Sequence, residues 1–149
     1  MDLRRDVPRI PYALLARRAW LPRAIDKARA KAAGTLGDYL FPGPFDEAFL
    51  TFLGLTVDAF TAAVVAAADD GAVMAWVDEV ADRSPEAWES WRLWMWGQGP
   101  DPAHGGVVFA HRLAEVALGR PDIRTWCHLL AVEERHPVPD GATDVMGQL

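Results

Sequence analysis

The feature that most constrains this chain is its punctuation: helix stops and helix starts alternate at short intervals along its length. Gly34, Gly54, Gly97 and Gly119 read as stops, and Asp46, Thr56, Asp69 or Asp70, Ser84 and Asp122 as caps that open a helix. Ser84-Pro85-Glu86 is the strongest start, with a cap, a proline in the first turn and an acid at the positive helix end. Between these marks apolar residues recur at helical spacing, as in Val57, Phe60, Val64 and Ala67, or Val73, Trp76, Val77 and Val80. Runs of β-branched residues are short and no alternation of period two persists, so no strand is expected.

The expected fold is therefore all-α, a compact single domain over 1–149 with about six or seven short helices. The main helix starts at Pro22 and ends before Gly34, and Phe41-Pro-Gly-Pro44 is a second break. Further helices are expected from Asp46 to Gly54, from Thr56, from Asp69 or Asp70, over 85–96, from about Ala103 to Leu118, and from Asp122 to about Val132. Residues 1–11, with Pro8 and Pro11, read as an extended lead-in, and Tyr12 to Trp20 as one or two helical turns. Residues 136–149, with Pro137, Pro139 and Gly141, read as a loosely attached tail. Trp76 and Trp126 sit among apolar neighbours and are expected in the core.

Charge and composition narrow the function classes. A net charge of −6 argues against a general nucleic-acid binder, which needs a basic excess, so no nucleic-acid partner is expected. The single cysteine, Cys127, allows no intrachain disulfide and fits a reducing compartment. The first residues lack the apolar core of a signal peptide, and no apolar run approaches the ~20 residues of a membrane helix. The expectation is a cytoplasmic protein without a membrane partner.

The helix from Pro22 concentrates the charge chemistry. Turned at about 100° per residue, it gathers Ile25, Ala28 and Ala32 on one narrow face and Arg23, Lys27 and Lys31 in a row on another. Asp26 and Arg29 flank the apolar face at a spacing that lets them pair. Lys27 and Lys31 are the only lysines in a chain that otherwise uses arginine. Two readings stay open: the cation row is a solvated face, or it meets an anion. On the second, Arg23, Asp26, Lys27 and Arg29 form a polar pocket for a small anionic ligand, joined by Thr35 and Tyr39 from the glycine-flanked turn that follows.

The strings LPR-A-IDKARA and GTLG-D-Y resemble a bacterial family known as DUF5069, a domain of unknown function. Asp46, Phe49, Leu50, Phe52 and Gly54 fit its D-x-x-F-L-x-F-x-G segment, and Trp76-Val77 its A-W-V ending. Asp122, Ile123, Thr125, Trp126, Leu129 and Leu130 fit its D-I-x-T-W-x-x-L-L segment. The resemblance covers most of residues 8–135 and departs from the family at the tryptophan run 88–96 and at the His-Gly-Gly start at 104. It implies a grouping and a typical length, with no reaction or catalytic residues to transfer.

Other constellations are thin. His104 and His111 are seven apart, Cys127 and His128 are adjacent, and neither HExxH nor CxxC occurs, so no metal and no cofactor are expected. Adjacent residues on a helix point apart, which removes a Cys127–His128 dyad, and no GxSxG or P-loop is present. The sequence assigns no reaction. A second function class comes from Trp88, Trp91, Trp94 and Trp96 on one helix: a non-catalytic homodimeric interaction module with these indoles at the contact.

Overall fold

The structure is a computed structural model that describes residues 1–101, 103 and 105–144. It opens on a two-stranded antiparallel hairpin, β1 (Leu14–Leu15) and β2 (Arg18–Ala19), with Leu14 opposite Ala19 and Leu15 opposite Arg18. This corrects the expected helical turns at 12–20. Ala16 and Arg17 both have positive φ, 46° and 68°, the left-handed pair that a two-residue hairpin turn needs and a right-handed helix forbids. The usual Asn-Gly signal is absent from the turn, so the pattern is invisible in the sequence.

Among the described residues seven helices follow: α1 (Leu21–Ala32), α2 (Pro44–Leu53), α3 (Val57–Ala66), α4 (Asp70–Ala81), α5 (Pro85–Gly97), α6 (Gly106–Ala117) and α7 (Trp126–Glu133). The fold is mostly helical, as the punctuation predicts. Thr56, Asp69 and Ser84 cap α3, α4 and α5 by accepting from the amides of Ala59, Ala72 and Ala87. Two expected caps move. Asp46 is not the first residue outside α2 but lies inside its first turn, where its carboxylate accepts from the Gly43 amide at 2.8 Å. Thr125 rather than Asp122 caps α7, its hydroxyl accepting from the His128 amide at 3.2 Å. α6 begins at Gly106, later than the expected Ala103.

The described chain divides into two units, with the division falling inside α5. The first unit is Met1–Arg9 with Ala13–Trp91. In it α1 packs against α3 and α4, and the fully buried Ile25, Ala28, Phe49, Phe60, Val73 and Val77 form the interior. Phe52 stacks on Trp91 with ring centroids 5.1 Å apart and meets Trp88 edge-on at 5.0 Å. The second unit is Ile10–Tyr12 with the described residues from Arg92 onward, and α6 packs against α7 through Phe109, Ile123 and Leu129. Trp76 and Trp126 are half-buried rather than fully enclosed; Trp126 lies edge-on to Phe109 at 4.9 Å. Within the predicted tail Ala142 is buried, while 145–149 lie outside the described residues.

Candidate functional site

α1 holds three of its charged residues inward. Arg23 is 2 % exposed, Asp26 3 % and Lys27 7 %, so the cation row is neither a solvated face nor the wall of an open cleft at these positions. Each charge has an internal answer. Asp26 does not pair with Arg29, as spacing along the helix predicts. It takes Arg9 instead: Nε and Nη2 donate to its two oxygens at 3.0 Å each, and the Arg9 amide donates at 2.8 Å. A planar guanidinium meeting a carboxylate through two parallel bonds is a stronger, better-fixed pair than a helix-surface one.

Arg9 also reaches α4. Its Nη1 donates to Asp70 Oδ2 at 2.6 Å, while Arg29 Nη1 lies 2.8 Å from Asp70 Oδ1. Asp70 is therefore held by two guanidiniums at once. Burial pushes its carboxyl up, but the hydrogen bonds from Arg9 and Arg29 more than offset this and hold it below the usual carboxylate range. Arg23 sits beneath the same segment, donating from Nη1 to the Arg9 carbonyl at 3.1 Å with its guanidinium over the Trp20 ring.

Lys27 meets the carboxylate of α2. Its Nζ lies 2.5 Å from Asp46 Oδ2, and Asp46, 1 % exposed, also accepts from Trp20 Nε1 at 2.9 Å. Trp20 is the residue before α1 and adopts φ 74°, a rare backbone for a bulky side chain, which its indole contact with Asp46 helps to hold. Lys31, at the exposed end of the row, donates to the Phe41 carbonyl at 2.9 Å.

The glycine-flanked turn closes over the start of the chain. Thr35 Oγ1 donates to the Met1 carbonyl at 2.7 Å, and its own carbonyl accepts from the Leu3 amide at 2.8 Å. Gly37, at φ 61°, passes so close that a Cβ there would stand 2.8 Å from the Leu3 carbonyl oxygen. The turn thus makes its close approach to residues at the start of the chain, Leu3 and Arg4. Tyr39 is half-buried after this turn.

Of the six candidate binding residues, Arg29 lines an open space in the first unit. A groove of about 780 Å³ runs along the end of α1 (Arg29, Ala32, Ala33), the end of α3 and the residues after it (Val64, Val65, Ala67, Ala68) and the start of α4 (Asp69, Asp70, Gly71). This volume falls within the roughly 300–1,000 Å³ of small-molecule sites. Its walls are alanine and valine, with Val65 61 % exposed. Its polar end is the Arg29–Asp70 pair, about one third exposed on each side. Ala32, expected on the buried stripe of α1, is exposed and forms part of the wall.

The tryptophans point mostly inward. Trp88, Trp91 and Trp96 are 4 %, 6 % and 7 % exposed, and Trp94 is 40 % exposed. In the second unit His128 is buried with Nδ1 lacking a hydrogen-bond partner, and burial pulls its imidazole below the ordinary 6.5. No three His, Cys, Asp or Glu side chains gather as metal ligands among the described residues, and His104 lies outside them. No single described helix is long and apolar enough to cross a membrane; α2 and α3 reach that composition only together, across an 84° bend.

Sequence reasoning missed Arg9, Asp46 and Asp70 as partners of the candidate residues. Asp46 had a signal, since an acid in the first turn of a helix reaches back to the preceding amide. Arg9 and Asp70 are separated by sixty-one positions and share no local pattern. A family model described as "Domain of unknown function (DUF5069)" matches residues 5–136. No curated protein matches the chain.

Proposed function

The chain belongs to the DUF5069 family, a grouping without an assigned activity, and from its own geometry we propose that it binds a small carboxylate with an apolar body. The site is the Arg29 groove, the part of the 22–39 segment that opens outward. The observation behind this reading is the double hold on Asp70. Because Arg9, which also holds Asp26, donates to that carboxylate as well, Arg29 can turn toward an incoming anion without leaving Asp70 without a hydrogen-bond partner. The alanine and valine walls suit a short aliphatic chain. Binding alone is proposed, with no reaction.

This narrows the expected anionic ligand. Arg23, Asp26, Lys27 and Thr35 serve the reading indirectly, by fixing α1 and the lead-in that delivers Arg9. Residence in a reducing, cytoplasmic compartment is part of the same proposal and rests on the lone buried Cys127.

The test is a thermal-shift panel with hexanoate, acetate and inorganic phosphate on wild type and Arg29→Gln. Hexanoate is expected to raise the wild-type melting temperature most, and to lose that effect in Arg29→Gln. Equal shifts in both proteins, or none with any anion, rule the groove out. Self-association is the second reading, favoured by Trp94, the one indole of α5 left substantially exposed.

A further inference from the structure

The Arg29 groove carries one charge that its own walls leave unanswered. Asp70 is taken twice, by Arg9 Nη1 at 2.6 Å and by Arg29 Nη1 at 2.8 Å. Asp69 precedes it, lines the same groove and is exposed. Its Oδ1 caps α4 by accepting from the Ala72 amide at 2.8 Å. Among the described residues its Oδ2 has no hydrogen-bond partner and its carboxylate pairs with no cation. Arg29 commits Nη1 to Asp70, and its Nε and Nη2 donate to no described residue. The groove thus offers unused donors and an unused carboxylate, and otherwise walls of alanine and valine.

We propose that the ligand class of this groove is an aliphatic α-amino acid, its carboxylate on Arg29, its ammonium on Asp69 and its side chain along Val64, Val65, Ala67 and Ala68. This rests on the carboxylate reading above and adds a cationic handle to it. A bare carboxylate brought to Arg29 also meets the Asp69 anion, because Asp69 adjoins the residue that Arg29 holds and consecutive Cα atoms are only about 3.8 Å apart. Like charges brought together oppose binding. An ammonium on the same ligand turns that repulsion into an ion pair.

The order of groups along the wall selects the α-isomer. An α-amino acid holds its ammonium on the carbon next to its carboxylate, and everything beyond is apolar. That matches a groove whose unused cation and anion lie near one another, with only alanine and valine elsewhere. An ω-amino acid of the same length carries its ammonium to the far end, against apolar walls that give it no partner. The guanidinium fork accepts a carboxylate through its remaining N–H groups, and an ammonium brings three donors, one of which Asp69 Oδ2 can take. Asp69 is exposed, so its pair with the ligand is of the modest, solvent-screened kind.

Calorimetric titration of the full chain tests this with three ligands on one carbon skeleton: norleucine, hexanoate and the ω-amino isomer of norleucine. The proteins are wild type, Asp69→Asn and Arg29→Gln. Asparagine caps a helix as well as aspartate does, so Asp69→Asn removes the charge and keeps the cap. Wild type is expected to bind norleucine roughly fivefold or more tighter than hexanoate or the ω-isomer. Asp69→Asn is expected to lose that preference and still bind hexanoate, and Arg29→Gln to lose both ligands. A wild type that binds hexanoate or the ω-isomer as tightly as norleucine overturns the amino-acid assignment and leaves the carboxylate reading standing. So does a preference that Asp69→Asn retains. Failure of hexanoate and norleucine alike to bind wild type overturns both.

Discussion

Lys27 Nζ lies 2.5 Å from Asp46 Oδ2, with both side chains almost completely buried, and this pair ties α1 to the first turn of α2. One of the two lysines in the chain is thus answered by an internal carboxylate that also receives Trp20 Nε1 and the Gly43 amide. Removing one member of a buried pair strands the other, at a cost of roughly 3–5 kcal/mol. Lys27→Met is expected to lose about that much stability in a urea melt. Lys27→Met combined with Asp46→Asn is expected to regain part of it, because no uncompensated charge remains. A loss in Lys27→Met below about 1 kcal/mol contradicts a structural role for the pair.

Asp70 gives the acid side of the stability curve. Its carboxyl is lowered from 3.8, so the unfolded chain binds its proton at a higher pH than the folded one. Its contribution is complete above 3.8 and declines as pH falls through the lower folded value. Asp70→Asn is therefore expected to be less stable than wild type by a constant amount at neutral pH, with the gap closing in acid below pH 3.8. Urea melts of both proteins along a pH series check this; a gap that widens in acid has the wrong sign.

His128 acts in a different window. Burial lowers its pKa from 6.5, so below that pH the unfolded chain takes up a proton that the folded chain resists. Stability is expected to fall as pH drops below 6.5, and His128→Gln is expected to flatten that part of the curve. The same pH series of melts reads it. An unchanged slope in the variant assigns the loss to other groups.

Helix existence was legible because it rests on local chemistry: Thr56, Asp69 and Ser84 cap where their side chains can reach an amide three residues on. The 14–19 hairpin was not, since Ala16-Arg17 carries none of the glycine or asparagine that marks positive φ. The charged character of the 22–39 segment was legible, but the partners of its charges were not. Spacing on an isolated helix pairs Asp26 with Arg29, whereas folding delivers Arg9 and Asp70 from 17 positions before Asp26 and 61 beyond Arg9. Periodicity cannot find such partners. It also placed Ala32 on the buried stripe, although α1 ends there and the groove begins.

The indoles of α5 divide by exposure. Trp91, 6 % exposed, stacks on Phe52 and donates from Nε1 to the Ala19 carbonyl at 2.9 Å. Trp91→Ala is expected to cost roughly 3–5 kcal/mol in a urea melt. Trp94→Ala, at 40 % exposure, is expected to cost less than half of that. Equal losses at the two positions contradict the assignment of Trp91 to the interior.

The groove beside Arg29 is tested most directly by an amide NMR titration of wild type with hexanoate. The account predicts saturable shifts centred on Ala32, Ala33, Val64, Val65 and the 67–71 amides, together with the Arg29 Nε–H resonance, and their loss in Arg29→Gln. Shifts that do not saturate, that centre on other residues, or that persist unchanged in Arg29→Gln contradict it.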